Sequence, residues 1–113
     1  MTGLWRIYKT GFEAAHHIKG HPKCGRTHGH SYKLNVFVRG FAEEWVDFKD
    51  IKKTVDSFIN TIYDHRDLGN MTAEAIALDI VRYFQKFKWE GYIELYETAK
   101  FGIMMFIQND TSD

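Results

Sequence analysis

In the stretch SYKLNVFVRG, residues Tyr32, Leu34, Val36 and Val38 fall on one side of an extended chain. Lys33, Asn35, Phe37 and Arg39 fall on the other. That two-residue period predicts a strand with one face buried. Before it, LWRIYKTGFEAAH (residues 4–16) mixes aromatic and aliphatic side chains and reads as a long strand. Between the two lies HIKGHPKCGRT, which holds the only proline of the chain and two glycines and is therefore a loop. Two strands with one connection predict an antiparallel hairpin with a functional loop at its tip.

After RGFAEEW the period changes. Phe48, Ile51, Val55, Phe58, Ile59 and Ile62 share one face of a helix, with Asp47 as its N-cap. DHRDLGN breaks that pattern. A second helix starts near Thr72, another N-capping residue, and carries Ile76, Ile80, Val81, Phe84 and Phe87 as its apolar stripe. GYIELYET and FGIMMFIQ then read as a second hairpin, and NDTSD as a polar tail that frays.

The order ββααββ predicts an α+β domain, a four-stranded antiparallel sheet with both helices on one face. The other sheet face stays uncovered although it too carries large apolar residues. Such a sheet completes itself by oligomerising.

The totals narrow the function classes. A chain of 113 residues makes one domain, spanning 1–113, and its nine Phe, six Tyr and three Trp imply large buried or interfacial surfaces. Fifteen basic and fifteen acidic side chains cancel, and no run of like charge favours a nucleic-acid groove or a membrane face. A single cysteine excludes an internal disulfide and fits a reducing compartment. No signal-peptide core and no long apolar segment is present, so the expectation is a cytoplasmic protein.

The chemistry concentrates in CGRTHGH. In a strand, residues two apart share a face with Cα atoms about 6.6 Å apart, so His28 and His30 reach a single ion. An open catalytic zinc site takes three protein ligands. The third comes from the partner strand, which ends in EAAHH. His16 and His17 point to opposite sides there, and spacing alone does not choose between them. Two surface or core histidines are the plain alternative.

Cys24 lies four residues before His28 among polar neighbours, which favours a reactive thiol over a small buried one. As a fourth ligand it would instead close the site and make it structural. Asp64 beside His65 offers a carboxylate-supported imidazole, or simply a solvated helix end. Glu97 has the parity of Ile93 and Leu95, and a carboxylate on an apolar face needs a partner. The alternative is an exposed glutamate at a strand end.

Six stretches in order, FEAAHHI, CGRTHGHSY, VDF, DHRDLGN, TAEAIA and YET, make the chain resemble the family of 6-pyruvoyl- and 6-carboxy-tetrahydropterin synthases over nearly its whole length. The resemblance implies the tunnelling fold and a hexamer of two stacked trimers with active sites between subunits. It implies Zn2+ held by His16, His28 and His30, with Cys24 as catalytic proton acceptor and Asp64 and His65 as the proton-returning pair. Glu97 would anchor the pterin ring and, as a further catalytic residue, assist proton transfer, and Thr72 and Glu74 would line the pterin pocket. The implied substrate is 7,8-dihydroneopterin triphosphate, with Lys19, Lys23 and Arg26 as phosphate contacts.

Three residues, GRT, separate Cys24 from His28, and this CGRxHGH spacing looks like the carboxy-forming branch that leads to 7-deazaguanines. MTAEA departs from the usual PTxEN, and ETAKFGIMMF lacks the common polar residues after the glutamate. The pyruvoyl-forming reaction is the nearest alternative. A zinc hydrolase would need a general base other than a thiol, and none is obvious. A non-catalytic, zinc-stabilised assembly module would have Cys24 closing the metal site.

Overall fold

The computed structural model describes residues 1–108; the tail expected to fray, 109–113, lies outside them. Seven elements follow along the chain: β1 Gly3–His17, β2 His28–Phe41, α1 Phe48–Ile62, β3 Arg66–Asn70, α2 Ala73–Gln85, β4 Gly91–Tyr96 and β5 Gly102–Phe106. They form an α+β fold, a mixed sheet in the order β3-β1-β2-β4-β5 with two helices.

The long hairpin forms as its alternation predicts. β1 and β2 pair antiparallel from Gly3 opposite Phe41 to His16 opposite His28. Tyr32, Leu34, Val36 and Val38 are all buried, as are Phe12, Ala14 and His16 of β1. Ile93 and Leu95 of β4 continue the same face. Against it pack Ile51, Val55 and Ile59 of α1 and Ile76, Ala77, Ile80, Val81 and Phe84 of α2.

Both predicted caps form. The Asp47 carboxylate accepts from the Lys49 N–H, and the Thr72 hydroxyl from the Ala75 N–H at 3.1 Å, each satisfying a donor that the helix cannot. The helical stripes are narrower than their periodicity suggests. Phe48 is 71% exposed, Ile62 46%, and Phe87 lies beyond the end of α2. The first two are the terminal residues of α1.

The expectation of four strands in the order ββααββ is corrected by a fifth. DHRDLGN does end the helix, but residues 66–70 then form β3, which pairs parallel with the end of β1. Its burial shows no alternation, because it is a five-residue edge strand held by backbone bonds rather than by an apolar face. Hydrophobic periodicity therefore carries no trace of it. The chain turns from α1 into β3 through His65, whose φ of 57° lies in the left-handed region that histidine tolerates better than most residues.

Candidate metal centre

Register brings the three histidines together. His16 sits directly opposite His28, and His30 opposite Ala14, so all three project from the helix-covered face where that face runs out. His16 is fully buried. One ligand atom from each of His16, His28 and His30 lies within 4.8 Å of the others. His17 has the opposite parity and pairs with Asn70 across a bulge, so the fold itself selects His16.

Backbone carbonyls orient two of the rings. His16 Nδ1 lies 2.7 Å from the Met71 carbonyl and His28 Nδ1 2.7 Å from the Arg26 carbonyl. A carbonyl only accepts, so each Nδ1 carries the proton and each Nε2 presents a lone pair. The Nε2 atoms of His16 and His30 are buried without a hydrogen-bond partner. Glu97 Oε1 stands 3.1 Å from His16 Nε2 and 3.6 Å from His30 Nε2, close in distance but not in hydrogen-bond alignment. A lone pair facing a carboxylate oxygen at 3.1 Å is repulsive unless a proton or a cation sits between them.

The donor set thus fits a divalent ion with imidazole ligands, each ring held by a carbonyl behind it. Burial holds the His30 pKa below its ordinary value, against the pull of the Glu97 carboxylate. The ring is therefore kept neutral, the form that binds metal.

Glu97 lies one residue beyond β4, on the parity of Ile93 and Leu95, and its N–H donates to the Phe101 carbonyl across the hairpin loop. Thr72 caps α2, and Met71 immediately before it supplies the carbonyl behind His16. Glu74 is exposed in the first turn.

Cys24 is half-buried in the loop between β1 and β2. Its N–H donates to His21 Nδ1 at 2.8 Å and its carbonyl accepts from the Ile18 N–H at 2.6 Å. It does not join the histidine cluster. Lys19, Lys23 and Arg26 of the same loop are exposed.

His65 is 79% exposed, with Nε2 3.7 Å from Asp64 Oδ2. Asp64 Oδ1 accepts from the Glu13 N–H, and the His65 N–H donates to the Glu13 carbonyl. The pair is thereby pinned to β1. His65 and His30 line one cleft of about 390 Å³ together with Glu13, Ser31 and Arg66. Cys24 does not line that cleft within the chain.

Sequence reasoning did not anticipate the two carbonyls, because backbone acceptors leave no mark on residue type. It also passed over Tyr32, which shares the parity of His28 and His30. Tyr32 is 1% exposed, its hydroxyl has no partner, and its ring lies 5.6 Å from that of His30 and 6.1 Å from that of His16. Burial, then the Glu97 charge, raises its pKa far above the usual phenol range.

Residues 6–99 match the family model described as 6-pyruvoyl tetrahydropterin synthase. The 6-carboxy-5,6,7,8-tetrahydropterin synthase of Haemophilus influenzae is 31% identical, over 94% of this chain and 81% of its own. The enzyme of that name from Synechocystis is 34% identical, over 66% of this chain and 70% of its own. Among solved structures, the 6-pyruvoyl tetrahydropterin synthase of Caenorhabditis elegans superposes with a TM-score of 0.80 at 20% identity, covering 94% of this chain and 96% of that one. At that identity the match establishes the tunnelling-type fold.

Proposed function

The chain belongs to the 6-pyruvoyl tetrahydropterin synthase family, and from that premise we propose that it is a zinc-dependent lyase. It converts 7,8-dihydroneopterin triphosphate to 6-carboxy-5,6,7,8-tetrahydropterin, releasing acetaldehyde and triphosphate. The observation that carries this reading is the histidine triad, whose inward lone pairs converge beside Glu97. The weight of carboxy-forming enzymes among the sequence relatives, and the three residues between Cys24 and His28, support the carboxy branch.

His16, His28 and His30 hold the ion. Zinc there supplies Lewis-acid polarisation of the side-chain oxygens of the substrate. The Cys24 thiolate removes a proton from that side chain, and His65, oriented by Asp64, returns protons. Glu97 holds the pterin amino and ring N–H groups through its two oxygens. Thr72 and Glu74 line the pterin pocket, and Lys19, Lys23 and Arg26 contact the phosphates.

Because His65 is exposed and Cys24 lies apart from its cleft, the pair meets the Cys24 of another subunit. The assembly is a hexamer of two trimers. Its sites complete themselves between subunits.

Mass spectrometry of the products from 7,8-dihydroneopterin triphosphate tests the reaction. 6-Carboxytetrahydropterin with acetaldehyde is the expected result. 6-Pyruvoyltetrahydropterin would assign the chain to the other branch, and no turnover by zinc-loaded protein would remove the enzymatic reading.

A further inference from the structure

Among the described residues, three buried side-chain polar atoms are left without hydrogen-bond partners at the end of the core: His16 Nε2, His30 Nε2 and the Tyr32 hydroxyl. A metal ion accounts for the first two. It does nothing for the third, since a protonated phenol needs an acceptor. Tyr32 is otherwise packed as a hydrocarbon, stacked on Phe12 at 4.9 Å and edge-on to His16 and His30. For packing alone, a phenylalanine would serve without the cost of a buried, unsatisfied hydroxyl. Such a group in a native protein is explained by a strain reservoir, an ordered water or a ligand. Its ring stands within 6.1 Å of the rings of His16 and His30, directly beside the triad.

We propose that the Tyr32 hydroxyl is a built-in hydrogen-bond donor to the oxygen of a ligand bound at the open position of an ion held by the histidine triad. The inference rests on the metal reading above and adds a further recognition element to it. Glu97, at 3.1 Å from His16, accepts from ligand N–H groups, and Tyr32 donates to ligand oxygen. The two therefore select a molecule that carries both an N–H face and a hydroxyl or alkoxide, a polyol side chain on a heterocycle among them. A donor preset toward developing oxygen charge needs no reorganisation when that charge appears.

The test compares wild-type protein and Tyr32→Phe, both loaded with cobalt(II) and titrated with acetate as a simple oxygen ligand, read by visible absorption. Expected are equal cobalt stoichiometry and an acetate affinity lower by about tenfold or more in the variant, the loss of one hydrogen bond to a charged acceptor. The metal-stripped variant should melt at the same temperature as the metal-stripped wild type or higher, because an unsatisfied group has been removed. A purely structural tyrosine would do the reverse, lowering the melting temperature and leaving acetate affinity unchanged, and would overturn the proposal.

Wild-type protein alone provides a second readout should the variant not fold. Acetate binding should red-shift the near-ultraviolet tyrosine absorption as the phenol gains an acceptor, and an unchanged spectrum overturns the proposal. Failure of wild-type protein to take up stoichiometric cobalt overturns the metal reading and this inference together. Full cobalt uptake with equal acetate affinities overturns this inference alone.

Discussion

At the scale of single residues, the site separates ligand, base and anchor onto different segments, and each separation is testable. His28 is held by the Arg26 carbonyl and faces His16 across the hairpin. Removing a group that merely supports a ligand costs about 10–100-fold in metal affinity, so His28→Ala should lose at least about 100-fold, read by zinc competition titration. Glu97→Gln should retain zinc yet weaken pterin binding, because an amide presents one acceptor and one donor where the proposal needs two acceptors. Zinc lost from this variant would instead make Glu97 a metal ligand, which its 3.1 Å approach to His16 Nε2 also permits. Cys24→Ala should keep zinc and lower kcat on the order of 100- to 10,000-fold, the usual contribution of a positioned base.

The pH response also belongs to individual side chains. His30 has its pKa lowered chiefly by burial, so between its folded pKa and about 6.5 the unfolded chain binds a proton that the folded chain does not. Stability of the metal-free protein should therefore be fully present above about 6.5 and decline as pH falls below it. Urea unfolding of stripped protein across that range measures the slope. Bound zinc should steepen the slope, because it keeps all three histidines deprotonated in the folded chain, until protons competing for the same nitrogens release it.

At the scale of elements, the polar stretch between the helices does more than connect them. β3 and its following turn present the Met71 carbonyl to His16, and Asn70 Oδ1 accepts from the Lys19 N–H at 3.0 Å, tying down the loop that carries Cys24. Gly69, at φ 70°, lies within β3 where the strand shifts register against β1. The Thr72 cap fixes the start of α2 one residue later. Thr72→Ala should destabilise the fold by about 1 kcal/mol, the usual cost of a lost N-cap, and also weaken zinc binding through the neighbouring carbonyl. Calorimetry and zinc titration on the same variant measure the two effects. A loss of pterin affinity with stability unchanged would restrict Thr72 to pocket lining.

At the scale of the whole molecule, the sheet is two-sided. Its helix-covered face is closed, while the opposite face leaves Trp5 46%, Ile7 55%, Met104 56% and Phe106 60% exposed. Trp5, Phe37, Tyr92 and Phe106 form a continuous aromatic run there. An apolar patch of this kind on a sheet with free edges calls for a partner. Sedimentation of wild-type protein should show an oligomer, and Ile7→Glu should shift it toward monomer while leaving the buried core intact. None of the helices among the described residues is long and apolar enough to cross a membrane.

Strong periodicity made the long hairpin, both helices with their caps and the second hairpin readable before any coordinates. The candidate metal-binding pair His28 and His30 was readable as well, because two-residue spacing in a strand guarantees a shared face. These features depend on neighbours in sequence, and local geometry follows directly from residue order. Tertiary structure decided the rest, because it depends on partners distant along the chain. Pairing register placed His16 rather than His17 opposite His28. Backbone bonds made β3 from residues with no apolar pattern. Carbonyls of Arg26 and Met71, invisible in residue identity, set which ring nitrogen is left free to take a metal, and packing around the histidines left the Tyr32 hydroxyl without an acceptor among the described residues.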